Sequence, residues 1–315
     1  MIRQTSSCES GFSEYVSLLL ELHRLTVGDQ GDTEEADDLR DRMDAPWRRL
    51  NGGEAKLVDG LSVDLYSLGV DRDGPDAFTG EPDEFARFQQ AVEENQWPTV
   101  LEVVRNVEEH LPSHTVAFLR GVCWAQMHEP NAAILFLREA ARLQPQTPEE
   151  EVWLLGCFTE AGRAREALDR SRELLESSTE PLLLLQASLV LFSAACELND
   201  EAAEALLREA IDAANRSLAA ADKAPSDDLL KTMQASVLLH LAIAHDMQGN
   251  TETAVEACVR AIQVDPARPI ALELLGFLSY RGFPAAQRAS FRNRLSRQLI
   301  SEPQRCTSTA MVEFN

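Results

Sequence analysis

The sequence predicts an all-α chain assembled from a recurring helix–turn–helix unit, and three observations lead there. The 315 residues are rich in Ala, Leu and Glu and poor in Gly and β-branched residues, a composition of helix formers. Apolar residues recur at three- and four-residue spacing in one stretch after another. The stretch Ala235–Arg268 holds two such amphipathic runs, hinged at Gly249 and closed by Pro266. Leu241, Ala242, Ala254 and Ala261 stand where its two helices would have to touch, and looser copies of the unit occupy much of the chain.

Size and charge narrow the possibilities. With 44% hydrophobic residues the chain can bury a sizeable core, but single cores stop growing at roughly 250–300 residues, so two domains or an elongated stack is expected. The formal net charge of −23 and a pI near 4.6 oppose sequence-independent binding to nucleic acid, which needs cations to neutralise phosphates. They equally oppose docking on anionic lipid. No nucleic-acid or membrane partner is therefore expected. Val16–Leu20, the apolar run nearest the N-terminus, is short and followed by charge, unlike a secretory signal. The longest apolar segment, Leu182–Cys196, is broken by Gln186 and Ser188 and suits a buried helix rather than a membrane span. Cys8, Cys123, Cys157, Cys196, Cys258 and Cys306 form no C-x-x-C pair, so local spacing builds neither a zinc site nor a redox motif. Cys123, Cys157, Cys196 and Cys258 lie in apolar helical runs and read as small hydrophobes. Reduced thiols and a cytoplasmic location are expected.

Taken in order, the chain opens on a helix from Phe12 to about Val27, with Tyr15, Leu18, Leu19, Leu22 and Leu25 at helical spacing. Thr33 then caps a second helix whose first-turn acids suit its positive end, running to about Met43. Pro46 is expected to restart a short helical piece through Leu50, and Gly52–Gly53 to interrupt it. Glu54–Leu68 gives a third helix with Leu57, Leu61, Leu65 and Leu68 on one side. Residues 1–69 thus make an N-terminal helical module, and 70–83, rich in Gly, Pro and Asp, a linker. Residues 84–300 make the repeat region. Its copies lie near 81–113 (hinge Asn95), 114–147, 148–181 (hinge Gly162), 184–225 (hinge Asn199–Asp200, second helix running to about Ala221) and 235–268. A half-copy at 269–282 and a cap helix at 284–300 follow, with Phe291, Leu295 and Leu299 as the cap's buried stripe. Residues 301–315 are expected to be a disordered tail.

The pattern resembles the tetratricopeptide repeat (TPR) family, whose period is about 34 residues. Gly121, Trp124, Ala133, Leu137, Ala140 and Pro145 fall at that family's signature offsets, as do Leu154, Leu155, Phe158, Gly162 and Ala167 in the next copy. The resemblance covers residues 81–282 and implies a right-handed α-solenoid. In such packing Ala133 and Ala254 let the second helix of a pair approach the first, and Gly121 and Gly276 do the same from the other side. Arg120 stands where the family prefers Leu, so its helix is expected to be rotated or locally exposed.

Signatures of common hydrolases, phosphate loops and dinucleotide sites (H-E-x-x-H, G-x-S-x-G, G-x-x-x-x-G-K-[ST], G-x-G-x-x-G) are missing. His110 and His114 are four apart, but Pro112 between them ends any shared helical face. Neither cofactor nor metal nor catalytic residue is expected. The resemblance instead implies a groove lined by the first helix of each repeat, here Phe118, Val122, Val152, Phe192, Leu239, Ile243, Asp246, Phe277 and Tyr280. The family's clamp for acidic C-termini carries Lys and Asn at such places, so this apolar lining either receives a hydrophobic or helical peptide or is covered by the chain's own packing. A second surface is a basic set, Arg281, Arg288, Arg292, Arg294 and Arg297: a solvated cap face, or a contact with acidic residues of a second copy in a homodimer, or of another partner. The expected function is a non-enzymatic scaffold holding a protein or peptide partner whose identity is left open. The alternative is a regulatory subunit that modulates an enzyme through the N-terminal module.

Overall fold

The computed structural model describes residues 11–69, 82–144, 147–197, 201–225 and 228–279, together with 290, 291 and 294. Among the described residues every regular element is helical. The chain divides into two compact units, Met1–Pro145 and Gln146–Asn315.

The first unit contains α1 (Gly11–Val27), α2 (Glu34–Trp47), α3 (Gly52–Tyr66), α4 (Pro82–Glu93), α5 (Trp97–Val107), a 3₁₀ turn at Glu108–His110, α6 (Ser113–Gln126) and α7 (Pro130–Leu143). α1 packs on α2 and α3 and reaches α7, while α5 packs on α4 and α6. Thr33 caps α2 as expected, its hydroxyl accepting from the Ala36 N–H. Two local expectations are corrected. Pro46 does not restart a helix; it sits inside the last turn of α2, where its missing N–H and ring disturb one backbone bond instead of a whole helix. Gly52 and Gly53 do not interrupt but begin α3. Asn51 accepts from the N–H groups of Gly53 and Glu54, and the Glu54 carboxylate returns to the Asn51 N–H at 2.8 Å. That reciprocal cap satisfies the orphan donors of the first turn and offsets the poor helix propensity of two glycines.

The hairpin turns use left-handed residues. Asn95 (φ 55°) turns between α4 and α5. His128 (φ 60°), between α6 and α7, takes this conformation without a glycine's freedom. The α6–α7 contact depends on Gly121, where an added Cβ would stand 2.7 Å from Leu137 Cγ. Ala132 and Ala133 of α7 are fully buried, so small residues on both helices set their close approach.

In the second unit α8 (Pro148–Glu160) pairs with α9 (Ala164–Ser177), α10 (Pro181–Glu197) with α11 (Glu201–Ala221), and α12 (Asp228–Met247) with α13 (Thr251–Val264); α14 (Pro269–Ser279) follows. The first helices of successive hairpins lie side by side. α10 packs on both α8 and α12, and α12 also touches α14, the neighbour-to-neighbour stacking of an α-solenoid. α10 is apolar almost all round, with Leu185, Ala187, Leu189, Leu191 and Phe192 at 0–1% exposure, as a helix covered on several sides must be. α11 ends at Ala221, and Gly249 (φ 80°) makes the α12–α13 turn. Arg170 of α9 holds the buried Glu151 of α8 through two hydrogen bonds of 2.6 and 3.1 Å. Gly276, expected to mediate a close approach, faces open space within 4 Å, because no described helix packs over that side of α14. The Asn199–Asp200 turn, most of the 70–83 segment and the 301–315 tail lie outside the described residues, as does the 284–300 helix apart from 290, 291 and 294.

Candidate interaction surfaces

The side chains expected to line a groove are core residues. Phe118, Val122, Val152, Phe192, Leu239, Ile243, Asp246 and Phe277 are all at most 6% exposed; Tyr280 lies outside the described residues. They are taken up between neighbouring helices: Phe192 of α10 meets the His240 ring of α12 at 5.7 Å, and Phe277 of α14 stacks on Phe291 at 4.1 Å. Of the arginine set only Arg294 is described. It donates to Glu273 at 2.5 Å and lies over the Phe291 ring, so it fastens its own segment to α14. Arg281, Arg288, Arg292 and Arg297 lie outside the described residues.

A polar cluster absent from the expectations lies inside the first unit. Asp64 of α3 is fully buried. It accepts from Arg105 of α5 at Nη2 (2.8 Å) and Nε (3.1 Å), and it pairs with Arg120 of α6 at 2.8 Å. Arg120 also donates to Glu108 (2.6 Å) and to Ser67 Oγ (3.2 Å), while its Nε has no hydrogen-bond partner among the described residues. Arg120, whose departure from Leu pointed to a rotated or locally exposed helix, is not exposed: it is 5% exposed and pairs with an acid from the N-terminal module. Gly60, one turn before Asp64, makes the approach possible: a Cβ there would stand 2.3 Å from the Arg105 guanidinium carbon. A buried Asp among the leucines of α3 and an Arg at a Leu position were the sequence signals for this pair, visible only if read together.

Exposed apolar surface is concentrated on the N-terminal helices. Among the described residues Tyr66 (73%), Val27 (71%) and Val63 (68%) are the most exposed large hydrophobic side chains, and Trp47 of the same module is 39% exposed. Val63 and Tyr66 lie off the leucine stripe of α3, on the side carrying Asp59. The Tyr15 ring meets Trp47 at 5.3 Å. Its phenol is pushed above the ordinary tyrosine range by partial burial first, then by the negative charges of Asp59 and Asp44. Asp44 lies one turn before Trp47 on α2, and Asp59 shares its side of α3 with Val63 and Tyr66, so the exposed apolar side chains of both helices carry a carboxylate beside them.

The thiols of Cys123, Cys157 and Cys258 are placed as packing elements. Burial alone pushes the Cys258 thiol up to about 11, and it pushes up Cys123 and Cys157 as well; such thiols are poor nucleophiles. Burial also lowers the pKa of His23 and His245. His110 lies in the 3₁₀ turn and His114 in α6, on separate elements. Among the described residues no three His, Cys, Asp or Glu side chains gather as a metal site would need, and no helix is long and apolar enough to cross a membrane.

The arrangement defines an all-α protein of stacked helix hairpins. No protein-family profile matches the chain, and no curated protein matches it. Among solved structures it is similar to a MamA RS-1 ArsTM double mutant (17% identity, 60% of this chain and 96% of that one, TM-score 0.40). It is also similar to MamA (16% identity, 68% and 95%, TM-score 0.30) and to the TPR domain of P58(IPK) (14% identity, 93% and 80%, TM-score 0.30).

Proposed function

We propose that the chain is a non-enzymatic scaffold that holds a protein or peptide partner. The observation that supports this reading is the side-by-side stacking of α8, α10, α12 and α14, which lays out one extended surface from many similar helices. The apolar residues Val152, Phe192, Leu239, Ile243 and Phe277 of these helices build that surface from beneath. Partner contact on it falls to exposed neighbours, Met247 at the end of α12 (40%) and Leu272 on α14 (59%). The buried free thiols suit a reducing, cytoplasmic setting. A photo-crosslinking residue placed at Met247 or Leu272 tests the proposal in native extract. A discrete protein adduct, suppressed by Met247→Glu, is the expected result; no adduct from any exposed apolar position refutes the scaffold reading. A homodimer through the arginine set would show in sedimentation as a mass that falls with added salt.

A second reading, a regulatory subunit acting through the N-terminal module, is favoured by one observation: the three most exposed large apolar side chains among the described residues, Tyr66, Val27 and Val63, all belong to α1 and α3. Deleting residues 1–69 from a chain whose enzyme partner has been captured would leave that enzyme's activity unchanged if this reading is wrong.

A further inference from the structure

The exposed face of the N-terminal module carries an inference of its own, which rests on the scaffold reading. We propose that Tyr15, Trp47, Val63 and Tyr66, with Asp44 and Asp59 beside them, dock a cationic amphipathic segment of a partner protein. The apolar half follows from exposure. Val63 and Tyr66 sit one turn apart on α3, 68% and 73% exposed, on a helix whose opposite side already packs Leu61 and Leu65 at 0–2% exposure. A side chain needed only for the core would lie on that opposite stripe. Tyr and Trp are also the residues most enriched where binding energy concentrates, since a rigid ring desolvates a large area at small entropic cost.

The cationic half follows from charge. Among the described residues Asp59 has no basic partner, and Asp44 has only a loose one, Arg48 at 3.7 Å, with both side chains about three-quarters exposed; such a pair contributes little and is readily exchanged. An incoming arginine or lysine therefore finds two available carboxylates and, within the same footprint, aromatic faces that attract cations. The same carboxylates, on a chain of net charge −23, repel phosphate groups, which sets aside lipid headgroups and nucleic acid as occupants.

The test uses the full chain and three fluorescein-labelled peptides of about 18 residues. One has arginines along one helical face and Leu/Phe along the other; one replaces Arg by Glu; one replaces Leu/Phe by Ser. Fluorescence anisotropy should show the first binding and the second not binding. The third should bind about tenfold more weakly than the first. Val63→Ser with Tyr66→Ser should weaken the first peptide about tenfold, and Asp44→Asn with Asp59→Asn about fivefold. All four positions are exposed, so helix content should stay as in the wild type. Equal binding of the Arg and Glu peptides, or affinity within about twofold after the Val63/Tyr66 change, overturns the proposal. A partner adduct at Met247 with no binding of the first peptide overturns this assignment while the scaffold reading stands. No adduct anywhere together with no peptide binding removes both.

Discussion

Replacing Asp64 by Asn tests how the N-terminal module is joined to the helices that follow it. The side chain keeps its size but loses its charge, facing the two guanidinium groups of Arg105 and Arg120, each at 2.8 Å. Breaking a buried ion pair by removing one partner costs about 3–5 kcal/mol, because the remaining charge is stranded in low dielectric. Two features of the structure place this case at the lower end. Arg120 keeps Glu108 at 2.6 Å, and the Arg105 side chain is 23% exposed, so water relieves part of its loss. An expected loss of about 3 kcal/mol corresponds to a drop of roughly 6–12 °C in the melting temperature for a unit of this size. Urea unfolding followed by circular dichroism, with thermal melts alongside, measures both. A change below about 1 kcal/mol would mean the cluster behaves as a surface pair, and the reasoning fails. The companion variant Asp64→Leu/Arg105→Met/Arg120→Leu removes all three charges that meet at Asp64 and should recover most of the loss, since apolar replacement of buried ion clusters is often neutral or stabilising.

Three further outcomes follow from the packing. Gly60→Ala should destabilise by about 1 kcal/mol, a displaced Arg105 bond outweighing the gain in helix propensity; in an Arg105→Ala background the sign should reverse, and urea midpoints of the four proteins read this directly. Gly121→Ala, driven into Leu137, should cost about 1–3 kcal/mol, whereas Gly276→Ala, with open space around it, should stabilise by up to about 1 kcal/mol; similar values for both would contradict the close α6–α7 approach. The Cys258 thiol, raised to about 11 from an ordinary 9.0, stays protonated in the fold after the unfolded chain has ionised. Its contribution is therefore complete below pH 9 and is lost as pH rises from 9 towards 11, a loss that Cys258→Ala should abolish in urea titrations across that range.

The local plan of this protein is written in its helical periodicity. Hinges at Asn95, Gly162 and Gly249, the cap at Thr33 and the buried character of Leu182–Cys196 are each settled within a few residues, because backbone sterics, capping and apolar spacing act at that range. The same short range explains the two local errors. Gly52–Gly53 look like a break unless the Asn51–Glu54 reciprocal cap is noticed, and Pro46 looks like a start because a proline tolerated in a last turn has no separate signature.

What the tertiary structure alone decided concerns pairs of residues far apart in the chain. Whether Phe192 or Leu239 is a binding surface or core depends on the neighbouring helix, and α10, packed on both sides, answers for core. Arg120 reads as an anomaly within its own repeat and becomes intelligible only beside Asp64 and Gly60, which lie three helices earlier on α3. Conversely, Val63 and Tyr66 have the composition of core residues, and only the docking of α3 by its leucine stripe leaves them outside. Burial belongs to the contact between elements, and an amphipathic pattern names an apolar face without naming what covers it.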